Sequence, residues 1–510
     1  MTTRTSRRIA AFAAVPLVFL AACSGQGPGT AAGTDLTIAL AVEPVSLDPC
    51  DTQDATNAVV LRTNVTESLT RIDPETGEVV PFLAESWEQV DPSTWRFTLR
   101  QGVRFHDGTP FDAAAAAASI NRVLDPELNC QNLDQFPYPL TATALDAATL
   151  QVVSESPDSI LPLRISYADI GAPATPAGEK TSSPVGTGPY RFAERVQGQS
   201  VTLTRNDDYW GQAGQATSVR YVYREEPSVR AGMARTGEAS IAVPVSVQDA
   251  TDDDRTREYQ DNRVFFLRTS TEKAPFTDPR VRRAAQQAID KQTIVGSLME
   301  RTGTPFDQIV ASTVNGHIDG FTGPAFDPAA AEQLLRAAEA DGVDVRAPID
   351  LVTRPDLFPG SDEVIQAIHQ NLQSVGFTVN ILSLDTDAWL QLLRSPFPPD
   401  QKATIIAISH DNISGDASFS FPKYMAGDGS NSTIRNPEID ALLAEAEQAG
   451  GAERAALYQR AAEIEYRDVN AFLPIALQSK LLMLGPGIEY QPNSLTGVEL
   501  SVADIAITTG

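Results

Sequence analysis

Histidine and cysteine are scarce in this chain, and each shortage narrows what it can do. Four histidines, His106, His317, His369 and His410, are scattered through 510 residues. None stands at His-x3-His spacing and no Cys-x2-Cys occurs, so neither a structural metal nor a cofactor is expected. Basic residues are in deficit: 39 Lys and Arg face 66 Asp and Glu, for a net charge of −27. Nucleic acid is thereby excluded as a partner, because phosphate contacts need clustered Lys and Arg. The carboxylates are spread along the chain and form no acidic tail. Long apolar runs are lacking beyond residue 22, and a spanning helix needs about 20 such residues. Catalytic signatures are missing too. There is no Gly-x-Ser-x-Gly. Ser270-Thr271-Glu272-Lys273 matches the Ser-x-x-Lys of penicillin-recognising enzymes, but no Ser-x-Asn lies between it and the nearest Arg-Thr-Gly at Arg301.

What is present describes an exported globular protein. Hydrophobic residues make up 42% and charged residues 21%, enough for a sizeable core and two or three domains. Arg4, Arg7 and Arg8 precede an apolar run over 9–22 that is too short to span a bilayer. Residues 1–22 therefore read as a signal peptide. The run ends Leu20-Ala21-Ala22-Cys23, which resembles a bacterial lipobox with Cys23 as the lipidated mature N-terminus. Ordinary cleavage leaving Cys23 free is the alternative. Without the three arginines of the leader the net charge is −30. Residues 23–34 are small and Gly-rich and read as a flexible tether. Cys50 and Cys130 can form a disulfide in an exported protein, or remain two buried thiols.

The stretch 184–192, Pro-Val-Gly-Thr-Gly-Pro-Tyr-Arg-Phe, organises the chain. Gly186-Thr187-Gly188 resembles a phosphate loop only superficially: the third glycine and the Walker lysine are missing, and Pro189 removes a donor. It reads as a turn into a strand, followed by a Gly198 turn, a second strand and the pair Tyr209-Trp210. Upstream, a first strand is expected over 36–42, a turn-rich loop over 43–49 and a helix over 57–69. Trp95, Phe97 and Leu99, then Gly102, then Val103 and Phe105 predict a hairpin. Asp112 caps a helix over Ala113–Val123. Asp278-Pro279 starts a helix expected to continue to 298. Residues 349–382 alternate as strand, helix and strand. Residues 403–408 form a nearly continuous apolar strand, as in a sheet covered on both faces. Asn436-Pro437 opens another helix.

One place stands apart from the scaffold. The strand over 403–408 ends in Ser409-His410-Asp411-Asn412. Open α/β sheets bind ligands at the carboxyl ends of their strands. A carboxylate there, beside His410 and Asn412, suits a cationic or hydrogen-bonding ligand group. A plain strand-to-loop transition is the alternative.

Four stretches together resemble the peptide/nickel-binding family (family 5) of ABC-transporter extracellular solute-binding proteins. They are 82–87 leading to 99–111 (Leu-Arg-Gln-Gly-Val-Arg-Phe-His-Asp-Gly-Thr-Pro-Phe), 186–211, 275–290 (opening Pro-Phe-Thr-Asp-Pro-Arg-Val-Arg), and the helix over 436–443. They occur in the family's order, across about residues 35–490. The resemblance implies an α/β fold of the type II periplasmic-binding-protein kind: two lobes about a hinge plus an inserted third domain. Domain I would comprise 35–77, 183–263 and 488–510, domain II 78–182 and domain III 264–487. Ligand would be enclosed between domains I and III, whose closure is a population shift that a permease senses. In the family's peptide binders an Asp after a domain III strand pairs with the peptide amino group, and Asp411 matches that position. The usual Trp-x-x-Asp is replaced here by Ser409 and His410 before Asp411. Because nickel-chelate binders use a His in this region, His410 becomes a candidate contact with Asn412. Glu43, Val45 and Ser46, with Asn64 and Glu67 at a helix start, would face the cleft. The resemblance implies a monomeric, non-enzymatic lipoprotein that delivers short peptides to ABC permease and ATPase subunits. Alternative solutes are a metal chelate such as nickel, an oligosaccharide or a peptide-like antibiotic; a hydrolase on the same scaffold is more remote.

Overall fold

Two long strands, Thr256–Thr269 and Phe472–Leu484, pair antiparallel and carry a sheet on either flank. The computed structural model describes residues 34–355, 357–495, 497 and 499–508. The expected signal peptide, Cys23 and the tether up to residue 33 lie outside the described residues.

On one flank Ile241–Val243 pairs with the end of Phe472–Leu484 and with Asp35–Leu40. Asp35–Leu40 runs parallel to Ser218–Tyr223, and the hairpin Tyr190–Val196/Ser200–Arg205 completes that side. Gly198, at φ +70°, makes the hairpin turn in a conformation that L side chains resist. On the other flank Thr404–Asp411 pairs antiparallel with Thr256–Thr269, and Ile349–Thr353 runs parallel between it and Val379–Ser383. The result is an α/β architecture with one continuous sheet.

The apolar strand Thr404–Asp411 is covered on both faces. Ile405 and Ala407 enter one core with the helices Pro279–Ala288 and Ser361–Ser374, while Ile406 and Ile408 enter another with Pro437–Gln448. The period-2 geometry of a strand demands this division, so the unbroken hydrophobic run reflects two cores rather than one. A separate antiparallel sheet, in the order Ala84–Asp91, Thr94–Leu99, Thr149–Ser154 and Leu140–Ala144, packs with the alanine-rich helix Ala113–Val123 around a third core. The helix begins where Asp112 accepts from the Ala115 amide at 2.9 Å. The Cys50–Cys130 disulfide ties this unit to the segment after the first strand.

Three expected elements differ. The hairpin partner of Thr94–Leu99 is Ala84–Asp91, upstream, and not 103–105, which forms only an isolated bridge from Arg104 to Pro110. The helix starting at Asp278-Pro279 stops at Ala288; Asp290 then caps a second one, Lys291–Leu298. The helix expected over 57–69 is Ala55–Leu61 and no longer. Thr63 takes φ +61°, and the backbone beyond it is claimed elsewhere. The Val65 carbonyl accepts from Gly188 and the Asn64 carbonyl from Tyr190. Both glycines of Gly186-Thr187-Gly188 lie so close to this segment that a Cβ at either would collide with the Val65 or Asn64 carbonyl. The motif is a packing joint.

Closing a loop of 80 residues, the disulfide should contribute roughly 4 kcal/mol in the chain-entropy model. Urea unfolding of the Cys50→Ser/Cys130→Ser variant should show a loss of that order. A loss below about 1 kcal/mol would contradict it.

Candidate functional site

The site is built where the long strands meet the carboxyl ends of their neighbours. Ladder pairing between the two long strands is irregular between Gln260 and Val264. Three polar residues, Asp261, Asn262 and Arg263, occupy that break. Arg263 stands opposite Asp411 in register, and its Nη2 lies 2.6 Å from Asp411 Oδ2. Arg263 also approaches Asp261 at 3.7 Å, and Lys480 Nζ is 3.0 Å from Asp261. Two carboxylates and two cations thus form a neutral chain. Burial pushes the Asp411 carboxyl up, but the neighbouring cations, Arg263 first and then Lys480, outweigh it and hold the group below its ordinary range. Asp411 keeps about a third of its side chain exposed. It is an ionised acceptor with a cation already beside it.

Lys480 also lines a cavity of about 200 Å³ beside the first strand. Leu40, Val42, Val59, Tyr259 and Tyr490 make it largely apolar, and Glu499 is its other charged group. Glu499 in turn pairs with the buried Arg62 at 3.2 Å.

The residues flanking Asp411 point elsewhere, because alternate strand positions face opposite sides. His410 is buried: its Nε2 lies 2.8 Å from Ser420 Oγ and its ring packs against Phe419 and Tyr424. Burial, reinforced by Lys423, pushes its pKa far below the ordinary range. Asn412 is also buried, donating to the Asp416 carbonyl and to Ser420 Oγ while accepting from Ser414 and Gly415. It shapes the loop after the strand. Asp416 anchors that loop through a fully buried pair with Arg454 at 2.9 Å. His410 and Asn412 thus face inward, away from the open edge of the Asp411 carboxylate.

The residues expected from the first half are similarly divided. Val45 is 71% exposed, at the lip of the loop after the first strand. Glu43 is held by Arg195 at 2.7 Å and by the Gly198 amide at 2.8 Å. Ser46 donates its amide to Asn57 and accepts from the Asp48 amide. Asn64 is fully buried, donating to the Leu500 carbonyl and accepting from the Val502 amide, which ties in the C-terminal segment. Glu67 is buried and receives Thr187, Tyr209 and Trp210 at 2.6, 2.6 and 2.9 Å. Burial raises its pKa against those three bonds. Both side chains are spent on the joint with residues 186–211 and the C-terminal segment. Neither lies at a helix start, since the helix ends at Leu61.

Sequence reasoning missed Arg263 and Lys480. Lys480 did carry a signal, a single cation within the apolar strand Phe472–Leu484. Arg263 was concealed by its place at the edge of an apolar run.

Comparison with known proteins decides the family. Residues 78–432 match the bacterial extracellular solute-binding proteins, family 5 (middle). The chain belongs to that family. It is 23% identical over 467 residues to the glutathione-binding protein GsiB of Salmonella paratyphi A, covering 88% of this chain and 90% of the relative. It is 26% identical over 398 residues to the nickel-binding periplasmic protein of Escherichia coli K12, covering 72% and 74%. The fold matches that of the periplasmic binding protein DppA from Helicobacter pylori, solved with the peptide STSA. That match has a TM-score of 0.75 at 20% identity and covers 94% of this chain and 99% of that one. The family consists of binding proteins, and the expected type II two-lobed architecture is the one found. Among the described residues no helix is long and apolar enough to cross a membrane.

A histidine held neutral by burial opposes acidification. Its unfolded form takes up a proton as pH falls below about 6.5, and the folded form resists until far lower. Stability should therefore decline as pH falls from about 6.5, and His410→Gln should flatten that decline. Chemical denaturation between neutral and acid pH reads the difference; identical slopes in both proteins would contradict the buried placement.

Proposed function

We propose that this protein captures short peptides between its two sheet flanks and delivers them to the permease and ATPase subunits of an ABC importer. The observation that carries the reading is Asp411: an ionised, part-exposed carboxylate at the carboxyl end of a buried strand, in a family-5 chain. A peptide α-amino group is the natural partner for such a carboxylate. GsiB is named for glutathione and DppA was solved with a peptide, which favours the same class. The inward placement of His410 deprives a metal-chelate reading of its expected side chain. On this reading residues 35–77, 183–263 and 488–510 form one lobe, 264–487 the other, and 78–182 the insert. The protein acts as a monomeric binding protein without turnover, held at the outer face of the membrane by lipidated Cys23.

An amine entering the site shares Asp411 with Arg263, so Asp411→Ala should cost about 1.5–3 kcal/mol in peptide affinity, the scale of a charged hydrogen bond. Calorimetry with a panel of di- and tripeptides checks this, and undiminished affinity would remove Asp411 from the site. Mass spectrometry of the same mixtures should recover the peptides intact; hydrolysis would overturn the binding-only reading. Cys23→Ala should abolish lipidation and leave the protein unprocessed or released. A variant that stays lipidated and anchored would sink the anchor.

A further inference from the structure

Among the described residues the inserted sheet shares no ladder with the main one. Where the insert meets the part of the chain over 404–450, two hydroxyls reach across to main-chain carbonyls. Tyr167 donates to the carbonyl of Ile413, and Ser159 Oγ donates to that of Ala449 at 2.5 Å. Ile413 lies two residues beyond Asp411, in the loop that Asn412 and Asp416 shape.

The two ends of the Tyr167 bond are anchored on different sides. The Tyr167 carbonyl accepts from Asn132 at 2.8 Å, and Asn132 also donates to Thr52 at 2.9 Å. The Arg62 guanidinium lies over the Tyr167 ring at 4.6 Å and donates to the neighbouring Ser166 carbonyl at 3.0 Å. Arg62 is itself paired with Glu499 at 3.2 Å. The Cys50–Cys130 disulfide closes the same joint covalently. All of these partners lie in the insert, the first segment or the C-terminal segment, and none lies within 264–487. Ile413 instead follows directly on the strand Thr404–Asp411. Ala58, Tyr167 and Ile413 form a small buried cluster of their own, one residue from each part. So little apolar surface joins the parts here that they can separate without dismantling a core.

The chemistry of the bond suits a contact that forms and breaks. A phenol and a peptide carbonyl both return to water when parted, so joining them gains only a modest net free energy. Burial pushes the Tyr167 phenol above its ordinary range, so it remains a neutral donor.

We propose that Tyr167 is a positioning residue that latches the lobes: its hydroxyl holds the loop after Asp411 against the insert in the closed form and releases it on opening, with Ser159 as a second catch. The proposal rests on the reading that the two flanks close on a solute. Because Tyr167 is fixed from one side, each closure returns Asp411 to the same place relative to the first lobe. That spares a bound solute part of the cost of ordering the cleft.

The full chain is compared as wild type, Tyr167→Phe, Ser159→Ala and Tyr190→Phe. Tyr190 is the control: it too is buried and donates its hydroxyl to a carbonyl, that of Ala216 at 3.2 Å, but both residues lie on one flank. Small-angle X-ray scattering without added solute reads the ratio of opened to closed molecules. Tyr167→Phe, which keeps the ring under Arg62, should raise that ratio about two- to tenfold, the scale of one neutral hydrogen bond. Tyr190→Phe should leave it unchanged. Ser159→Ala, at a half-buried position, should act as Tyr167→Phe does, and it decides the matter if Tyr167→Phe does not fold. Titration with trialanine should show Tyr167→Phe weakened by the same factor, mainly through faster release. An opened Tyr167→Phe protein in a series where wild type binds no peptide supports the latch and sinks the peptide reading alone. Scattering unchanged in Tyr167→Phe, equal opening by Tyr190→Phe, or trialanine affinity undiminished in an opened Tyr167→Phe would overturn the latch and leave the peptide reading standing.

Discussion

The antiparallel pairing of Thr256–Thr269 with Phe472–Leu484 is the constraint to which the other parts answer. These strands pair with each other over most of their length and with separate flanks at their ends. They unite what would otherwise be two sheets. Their ladder is already interrupted between Gln260 and Val264, where Asn262 takes φ +56°. A bend located there would break few ladder hydrogen bonds. Asn262 bridges both sides, accepting from Thr313 and donating to the Leu495 carbonyl, while Gly497 packs directly on Asp261. The interruption that frees the backbone also gathers Asp261, Arg263, Asp411 and Lys480 in one place. The ladder's interruption and this cluster of charged side chains coincide.

Charges in this molecule divide by burial. Arg454–Asp416 and Glu67 with its three donors are fully enclosed and bonded, and they hold loops rather than ligands. Removing one partner of such a pair leaves a stranded charge and costs about 3–5 kcal/mol. Asp411 differs in keeping about a third of its side chain exposed. Exposure, more than charge alone, separates it from these scaffold pairs.

Much of the scaffold was legible in the sequence. Asp112, Asp278 and Asn436 cap helices as their spacing predicted, because capping is local chemistry. The apolar run ending at Asp411 was visible as a strand covered on both faces. The Cys50–Cys130 bond was readable from export and cysteine count. The site was less legible, for a geometric reason. His410, Asp411 and Asn412 are neighbours in sequence, yet strand alternation sends the outer two inward. Glu67 and Asn64 looked available because their partners, Trp210 and Leu500, lie more than a hundred residues away. Arg263 and Lys480 meet Asp411 and Asp261 only through strand register, which no local pattern encodes.

Native mass spectrometry of the protein purified directly from its producing cells tests the central claim most directly. A non-covalently bound mass, released on unfolding, should fragment as a short peptide or peptide-like molecule. A metal chelate or an oligosaccharide in its place would contradict the assignment of this cleft to peptides.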